Sequence, residues 1–137
     1  MRFAIFVAAL VGVALGALGS PQNAAKRKIP CKTPENAASC YWTRGRLGLA
    51  NGNPSIRMWK VGTKRILGIY SGPSTWPPRT NEDSESPELP ANIEKLGDAL
   101  DGGNIFADFE VCPLAPDRPG RMQAVCIESA KNIFIEH

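Results

Sequence analysis

The chain has 137 residues, a formal net charge of +3 and four cysteines, a length that suits one domain with a buried core. Its only histidine, His137, is the last residue, so histidine-dependent nucleophilic catalysis and a histidine-containing zinc site have little support. Charge is uneven, because residues 26–79 are basic with Glu35 as their one acid, whereas residues 80–137 are acidic. Either the two halves neutralise each other on folding, or the surface carries one cationic and one anionic face.

Residues 1–19 have the layout of a cleavable secretory signal. A cationic Met1-Arg2 start precedes an uncharged apolar run from Phe3 to Leu18, and small residues stand just ahead of Ser20. The run is shorter than the roughly 20 residues needed to span a bilayer, which favours cleavage over a membrane anchor. The sequence therefore predicts an exported protein, periplasmic or extracellular, with no transmembrane segment after cleavage and an N-terminal tail at 20–39.

The cysteines are predicted to form two disulfides, because an exported chain meets an oxidising compartment. They are Cys31, Cys40, Cys112 and Cys126. Three connectivities are possible. The sequence favours Cys31–Cys40 with Cys112–Cys126, since each pair brackets a loop that contains proline. The spacings do not match the usual zinc knuckles, so no metal and no cofactor is expected.

Residues 40–70 predict three consecutive β-strands, about 40–49, 55–61 and 64–70, joined by tight turns at Asn51-Gly52 and Gly62-Thr63. Side chains alternate between the two faces of a strand. One predicted face is mostly aliphatic and builds the core; it carries Tyr41, Thr43, Leu47, Leu49, Ile56, Met58, Leu67 and Ile69. The opposite face is basic and aromatic. Its residues Trp42, Arg44, Arg46, Arg57, Trp59 and Lys64 form the predicted binding face, beside Tyr70.

The rest of the chain predicts fewer strands and more loop. Residues 71–90 are rich in proline and acids, which predicts a flexible loop with Trp76 as its one anchor-like residue. A short helix is predicted near 91–101, and further strands at 104–112, 121–127 and 132–135. Together these elements predict a mainly β domain at 40–137, a small antiparallel sandwich or partly open barrel of five or six strands.

Residues 45–69 (GRLGLANGNPSIRMWKVGTKRILGI) resemble the opening of transthyretin-like, prealbumin-type β-sandwich modules. In those modules a glycine-containing strand is followed by an Asn/Asp-Gly-x-Pro turn and a β-branched strand. The residues that carry the resemblance are Gly45, Asn51, Gly52 and Pro54. Taken whole, the chain looks like small exported bacterial proteins of unassigned function, which implies a compartment but no chemistry.

The predicted binding face suggests a non-enzymatic binding module. Cations neutralise phosphate, sulfate or uronate groups while rings stack on bases or sugars, and an OB-type fold uses a sheet face in this way. Because an exported protein seldom meets nucleic acid, an anionic polysaccharide or an acidic protein partner is expected instead. The simpler alternative is that the tryptophans pack in the core and the arginines pair with Asp108 and Glu110.

Two other functions stay open from the sequence. A hydrolase would use paired carboxylates from Asp101, Asp108 and Glu110, of which the last two point to the same side of a strand; Asp98 lies close to this set in the sequence. An inhibitor or envelope-structural protein would engage a protein partner through the 71–90 loop and Trp76. No catalytic motif is present in the sequence, which favours a non-enzymatic function.

Overall fold

A computed structural model describes residues 27–137. The predicted signal segment 1–19 lies outside the described residues, as does the first part of the predicted tail. Residues 27–137 contain five strands, two short helices and three 3₁₀ segments. The strands are β1 (Tyr41–Leu49), β2 (Ile56–Lys60), β3 (Ile66–Tyr70), β4 (Asn104–Pro113) and β5 (Gln123–Glu136). The helices are α1 (Asn81–Glu85) and α2 (Ala91–Glu94), and the 3₁₀ segments are Ala37–Ser39, Pro73–Thr75 and Gly97–Leu100.

The five strands form a closed barrel in the order β1-β2-β3-β5-β4. All neighbouring strands are antiparallel except β3 and β5, which run parallel. The turns after β1 and β2 contain Gly52 at φ 100° and Gly62 at φ 80°, a backbone region that glycine enters without steric cost. The parallel pair needs a crossover connection, which the helical segments and β4 provide. The prediction of a mainly β fold is confirmed.

The core fills the interior of the barrel with side chains from every strand. Phe109 is the largest fully buried side chain, and Leu47, Met58, Leu67 and Ile127 are also buried completely. Burial of each such side chain contributes about 1.5–3 kcal/mol to folding. Ile93 of α2 is also fully buried in this cluster, so the helical crossover closes the core.

The alternation of side chains correctly predicted most of the residues of β1 to β3 that face the core, but the prediction was wrong for Leu49. Leu47 is the last residue of β1 that pairs with β4, through Ile105. Leu49 lies beyond that point and is 48% exposed. Solvent therefore reaches the end of β1, although its side-chain alternation continues unchanged.

The two predicted strands at 121–127 and 132–135 are one long strand, β5. Its pairing with β4 is irregular between Phe106 and Asp108 and again between Glu110 and Val111. Asn132 adopts a positive φ of 54°, which breaks the alternation that sequence reading depends on. The strand continues through this irregularity because β4 pairs with it on both sides.

Segments outside the strands are tied to the barrel by polar contacts. The guanidinium of Arg27 donates to the carbonyl oxygens of Ile127 at 2.6 Å and Ser71 at 2.7 Å. Burial lowers the pKa of Arg27, and Glu128 and Glu88 oppose that effect. In the 71–90 segment, the carboxylate of Glu88 accepts from two backbone amides of the N-terminal segment at 2.6 and 2.8 Å. The 71–90 segment contains α1 and the Pro73–Thr75 3₁₀ turn. Its flexibility stays a prediction.

Two disulfides are present, as predicted, but the favoured connectivity was wrong. Cys31 bonds to Cys126 and Cys40 bonds to Cys112. The sequence argument paired neighbours along the chain, whereas the pairing of β1 with β4 brings Cys40 beside Cys112 across 72 residues. In the chain-entropy description, loops of 95 and 72 residues stabilise the fold by about 4–5 kcal/mol each, more than the short loops of the favoured pattern would.

Candidate anion-binding site

The predicted binding face lies on the outside of the barrel but divides into two regions with different electrostatics. Arg57 and Lys64 line a cavity of about 390 Å³ together with residues that the sequence did not single out. This cationic cavity is lined by Arg57, Lys64, Arg65, Ile66, Gly120, Arg121 and Met122. The second region, the paired surface, lies on β1, β4, β5 and the N-terminal segment and comprises Lys32, Trp42, Arg44, Asp108, Glu110, Lys131 and Asn132.

The cationic cavity forms where the parallel strands β3 and β5 begin. Pairing of Leu67 with Gln123 places the residues just before each strand side by side. Arg65 donates to the carbonyl oxygen of Arg121 at 2.8 Å, which joins the β2–β3 turn to the β4–β5 loop. Arg57 of β2 lines a third side of the cavity, beside the β2–β3 turn and the β4–β5 loop. The site therefore depends on barrel closure rather than on any local stretch of sequence.

The cavity concentrates positive charge. Of its four cationic residues, Arg65 forms an ion pair with Asp117. Arg57 is oriented by donation to the carbonyl oxygen of Pro54 at 3.1 Å, a neutral acceptor, and forms no ion pair among residues 27–137. Lys64 and Arg121 are exposed. A concave surface lined by one sign of charge focuses the field and attracts counter-ions.

The cross-strand neighbours of Arg57 are glycines. Arg57 pairs with Gly48 of β1 on one side and with Gly68 of β3 on the other. A Cβ at Gly68 would lie 2.8 Å from Pro54 Cγ and 3.4 Å from Met122 Sδ, so these two side chains already occupy the place that a side chain at Gly68 would need. Arg57 itself is partly buried and lines the cavity.

An aromatic and cationic row leads toward the cavity across three strands. Arg46 of β1 pairs with Trp59 of β2, and Trp59 pairs with Ile66 of β3, which lines the cavity. The Arg46 guanidinium carbon lies 4.9 Å from the centre of the Trp59 ring, a cation–π contact. Both side chains are half-buried, so Trp59 packs on the outside of the barrel and not in its core.

The paired surface has cations too, but each meets an acid or a ring. Arg44 Nη1 lies 3.5 Å from Asp108 Oδ1 and donates to the carbonyl oxygen of Asn132 at 2.8 Å. Lys131 Nζ lies 4.3 Å from the ring centre of Trp42, which is 45% exposed. One part of the simpler alternative holds here, because Arg44 pairs with Asp108 on the neighbouring strand; Trp42, however, is not in the core, and Glu110 pairs with Lys32.

Two of the acidic residues proposed for hydrolysis, Asp108 and Glu110, have polar partners. The Asn132 amide donates to Asp108 Oδ2 at 2.7 Å and is the main reason that the pKa of Asp108 lies below its ordinary value; Arg44 acts in the same direction. Glu110 forms an ion pair with Lys32 at 3.0 Å. Asp101 lines a different cavity, with Leu49 at the end of the barrel. Asp98 is exposed in a 3₁₀ segment, apart from these pairs.

Arg65, Arg121 and Met122 are the residues that sequence reading missed. Arg65 follows Lys64 directly, and the adjacent cations in a turn were a usable signal. Arg121 and Met122 follow a Pro/Gly-rich loop and gave no such signal. Their neighbours in the cavity lie far away in the sequence: Arg65 and Arg121, for example, are 56 residues apart.

The fold and the site together define a small disulfide-stapled β-barrel with a cationic cavity at one edge. The five-stranded barrel with a helical crossover before β4 resembles the OB-type architecture, a likeness of topology alone. No protein-family model, curated protein or solved structure matches the chain. The local resemblance of residues 45–69 to transthyretin-like modules therefore stays a prediction. Across residues 27–137, no helix combines the length and apolar character required to cross a membrane.

Proposed function

We propose that this protein is an exported binding domain that holds an acidic polysaccharide at its cationic cavity. The observation that carries the proposal is the convergence of Arg57, Lys64 and Arg121 on one cavity, in addition to the paired Arg65. Export is supported by the predicted signal and by two disulfides, which persist in oxidising compartments.

The chemistry of the cavity suits a carboxylate or sulfate group on a sugar. Guanidinium groups bind planar and tetrahedral oxyanions through several donors at once, and the lysine adds a compact charge. Ile66 and Met122 supply apolar surface beside these cations, and Trp59 lies in the next row. A sugar ring presents an apolar face as well as charged substituents, so this mixture fits it better than a surface of charges alone.

The position of the cavity agrees with the use of comparable barrels. OB-type barrels bind oligosaccharides and oligonucleotides on the face of strands 2 and 3 and on the loops after strands 1 and 4. Arg57 comes from strand 2, Ile66 from strand 3, and Arg121 from the loop after strand 4. This is an analogy at the level of the fold and adds support only because the cationic residues occur at the same place.

The other functions stay predictions. For the hydrolase, both Asp108 and Glu110 have cationic partners, and the lowered pKa of Asp108 is unfavourable for a general acid near neutral pH. For an inhibitor or envelope-structural role, Trp76 contacts Tyr70 edge-on at 4.7 Å between ring centres and is half-buried. That contact uses part of the ring that a protein partner would need.

The proposal is tested by retention on heparin and on immobilised polygalacturonate as a function of salt. We expect an Arg57→Glu/Lys64→Glu variant to elute at much lower salt than the wild type, because two cavity cations become anions. The matched control is Arg44→Glu/Lys131→Glu, which reverses the same number of charges on the paired surface and should retain most of the binding.

Equal retention of the wild type and both variants would contradict the proposal, as would a larger loss in the control. A wild type that is held by an acidic protein from the same compartment, but by neither polysaccharide, would replace the ligand class with a protein partner. Circular dichroism of each variant checks that the barrel is intact.

A further inference from the structure

The four cysteines form one contiguous cluster in the barrel wall, and Cys112 is its centre. Cys112 of β4 is paired directly with Cys126 of β5. On its other side, β4 pairs with β1 through Val111 and Tyr41, and the adjoining Cys40 forms a disulfide with Cys112. The Sγ atoms of Cys31, Cys112 and Cys126 all lie within 4.8 Å of one another. Two disulfides are therefore in contact through Cys112.

Access to this cluster is unequal. Cys31, Cys112 and Cys126 are fully buried, whereas Cys40 is only partly buried. A thiolate from solvent can therefore approach the Cys40 sulfur most readily. Because all cysteines are held in disulfides, the cluster offers no thiolate for a metal ion in this state.

We propose that the Cys40–Cys112 disulfide is an exchange site for small thiols, and that Cys112 passes the exchange on to Cys31–Cys126. In the first step a small thiolate attacks the Cys40 sulfur, forms a mixed disulfide there and displaces the Cys112 thiolate. In the second step the Cys112 thiolate attacks the Cys126 sulfur, forms Cys112–Cys126 and displaces the Cys31 thiolate, which takes a proton from water. Two disulfides exist before and after, so no oxidant or reductant is consumed.

The barrel can accept the new bond without moving its strands. Directly opposed residues on antiparallel strands have Cα atoms about 4.5–5.5 Å apart, which lies within the range of about 4.4–6.8 Å for disulfides. Cys112 and Cys126 are opposed in this way. The Cys112–Cys126 disulfide, which the sequence favoured, is thus available to the folded protein as a second state.

The two exchange steps would cut both disulfide links between the barrel and the segment 31–40, which stays joined to β1 by the Cys40–Tyr41 peptide bond. The link from Cys31 to β5 and the link from Cys40 to β4 are lost together, while β4 and β5 gain a bond between them. Asn36, whose amide donates to the Cys31 carbonyl at 2.8 Å, holds the segment only to itself. The segment then becomes a strap held by its connection to β1 and by non-covalent contacts, which include those of Arg27, Glu88 and Lys32.

The wild-type protein tests the proposal by reaction with one equivalent of reduced glutathione, followed by acid quenching, alkylation and mass spectrometry of a non-reduced tryptic digest. Trypsin places the four cysteines on four separate peptides, because lysine or arginine stands between each successive pair. We expect the main product to contain Cys112–Cys126, glutathione on Cys40 and alkylated Cys31. A main product with alkylated Cys112 and intact Cys31–Cys126, or one in which Cys31–Cys126 opens first, would overturn the proposal.

Two variants test the second step without added thiol. In Cys40→Ser, Cys112 starts as a thiol and should displace Cys31 to give Cys112–Cys126. In Cys31→Ser, the Cys126 thiol should displace Cys40 and reach the same bond. Both conversions should accelerate as the pH rises toward about 8.5, where the thiolate becomes abundant. Retention of the starting disulfide in both variants would refute the relay, and the wild-type digest decides the outcome where a variant does not fold.

Discussion

The cationic cavity and the paired surface contain the same kinds of side chain but differ in what faces them. Arg44 on the paired surface has Asp108 at 3.5 Å, whereas Arg57 in the cavity has the neutral carbonyl oxygen of Pro54 at 3.1 Å. The difference arises from strand neighbours: β1 lies beside the acidic strand β4, and β2 lies between β1 and β3. Whether a cation of the predicted basic face has an acidic partner therefore depends on the strand next to it.

The ion pairs among residues 27–137 also explain the uneven charge of the sequence. Lys32–Glu110, Arg44–Asp108 and Arg65–Asp117 each join the basic first half of the chain to the acidic second half. Neutralisation is thus real, but it is incomplete in the cationic cavity. Of the two alternatives left open by the sequence, each holds in part: three ion pairs join the halves, and the cavity keeps Arg57, Lys64 and Arg121 without an ion pair among residues 27–137.

The largest expected effect on the difference between the two regions comes from placing an acidic residue in the cationic cavity. Met122 lines the cavity and is 38% exposed, so Met122→Glu places a carboxylate among its cations. We expect affinity for the acidic polysaccharide to fall about 10-fold, the effect of roughly 1.4 kcal/mol of binding free energy. Titration calorimetry at low salt measures it. Met122→Gln, of the same size but neutral, is the control; equal losses in both would mean that shape rather than charge is responsible.

Removing the acids of the paired surface should turn it into a second, weaker polysaccharide-binding site. Asp108→Asn/Glu110→Gln removes the acids that face Arg44 and Lys32 while keeping the side-chain shapes. We expect affinity for the polysaccharide to rise about threefold, because exposed charges in solvent each contribute only modestly. Retention against salt is the measurement. Unchanged retention would show that position on the barrel, and not pairing, makes this surface inactive.

The coupling energy between two charged side chains should be favourable on the paired surface but not in the cationic cavity. For Lys32 and Glu110, a double-mutant cycle in urea should give a favourable coupling of about 0.5 kcal/mol, since the acid is well covered and the lysine is exposed. For Arg57 and Lys64, which line one cavity with like charge, the coupling should be zero or slightly unfavourable. A favourable coupling would contradict the view that Arg57 and Lys64 have no acidic partner among residues 27–137.

The smallest expected effect is on one pKa. Asn132→Gly keeps the positive φ at that position but removes the amide that donates to Asp108, so the pKa of Asp108 should rise toward its ordinary value. Carboxyl chemical shifts against pH measure it. Lys131→Ala removes a weaker influence and should change the pKa less. A pKa that stays low in the Asn132 variant would assign the effect to Arg44 instead.

The direction of the pH dependence follows from that lowered pKa. A carboxyl whose folded-state pKa is lowered contributes stability above its unfolded-state pKa and loses that contribution as the pH falls through the folded-state value. The Asn132 variant should therefore unfold at a slightly higher pH than the wild type during acid titration. An identical acid midpoint would show that the hydrogen bond has no consequence for stability.

Local sequence predicted the elements that depend on neighbouring residues. Gly62 forms the tight turn after β2, and Gly52 lies in a longer loop between β1 and β2; each has a positive φ, which glycine accepts. Alternation in β2 placed Ile56 and Met58 inside and Arg57 and Trp59 outside. Alternation placed Trp42 on the outer face, but the sequence left open whether its ring is exposed; in the structure it is 45% exposed. Burial did not follow alternation at Leu49, where β1 extends beyond its pairing with β4, and alternation itself failed where a bulge shifts register, in β5.

Tertiary structure alone decided which distant residues meet. Closure of the barrel pairs β1 with β4 and β3 with β5, and these contacts join Cys40 to Cys112 and bring Arg121 beside Arg65. Many strand orders satisfy the same alternation, because it records only which side of a strand is buried and not which strand lies next to it. The sequence by itself therefore determined a mainly β, cysteine-linked domain with a basic outer face. Strand order determined the disulfide pairing, the neutralised half of that face and the cavity that remains cationic.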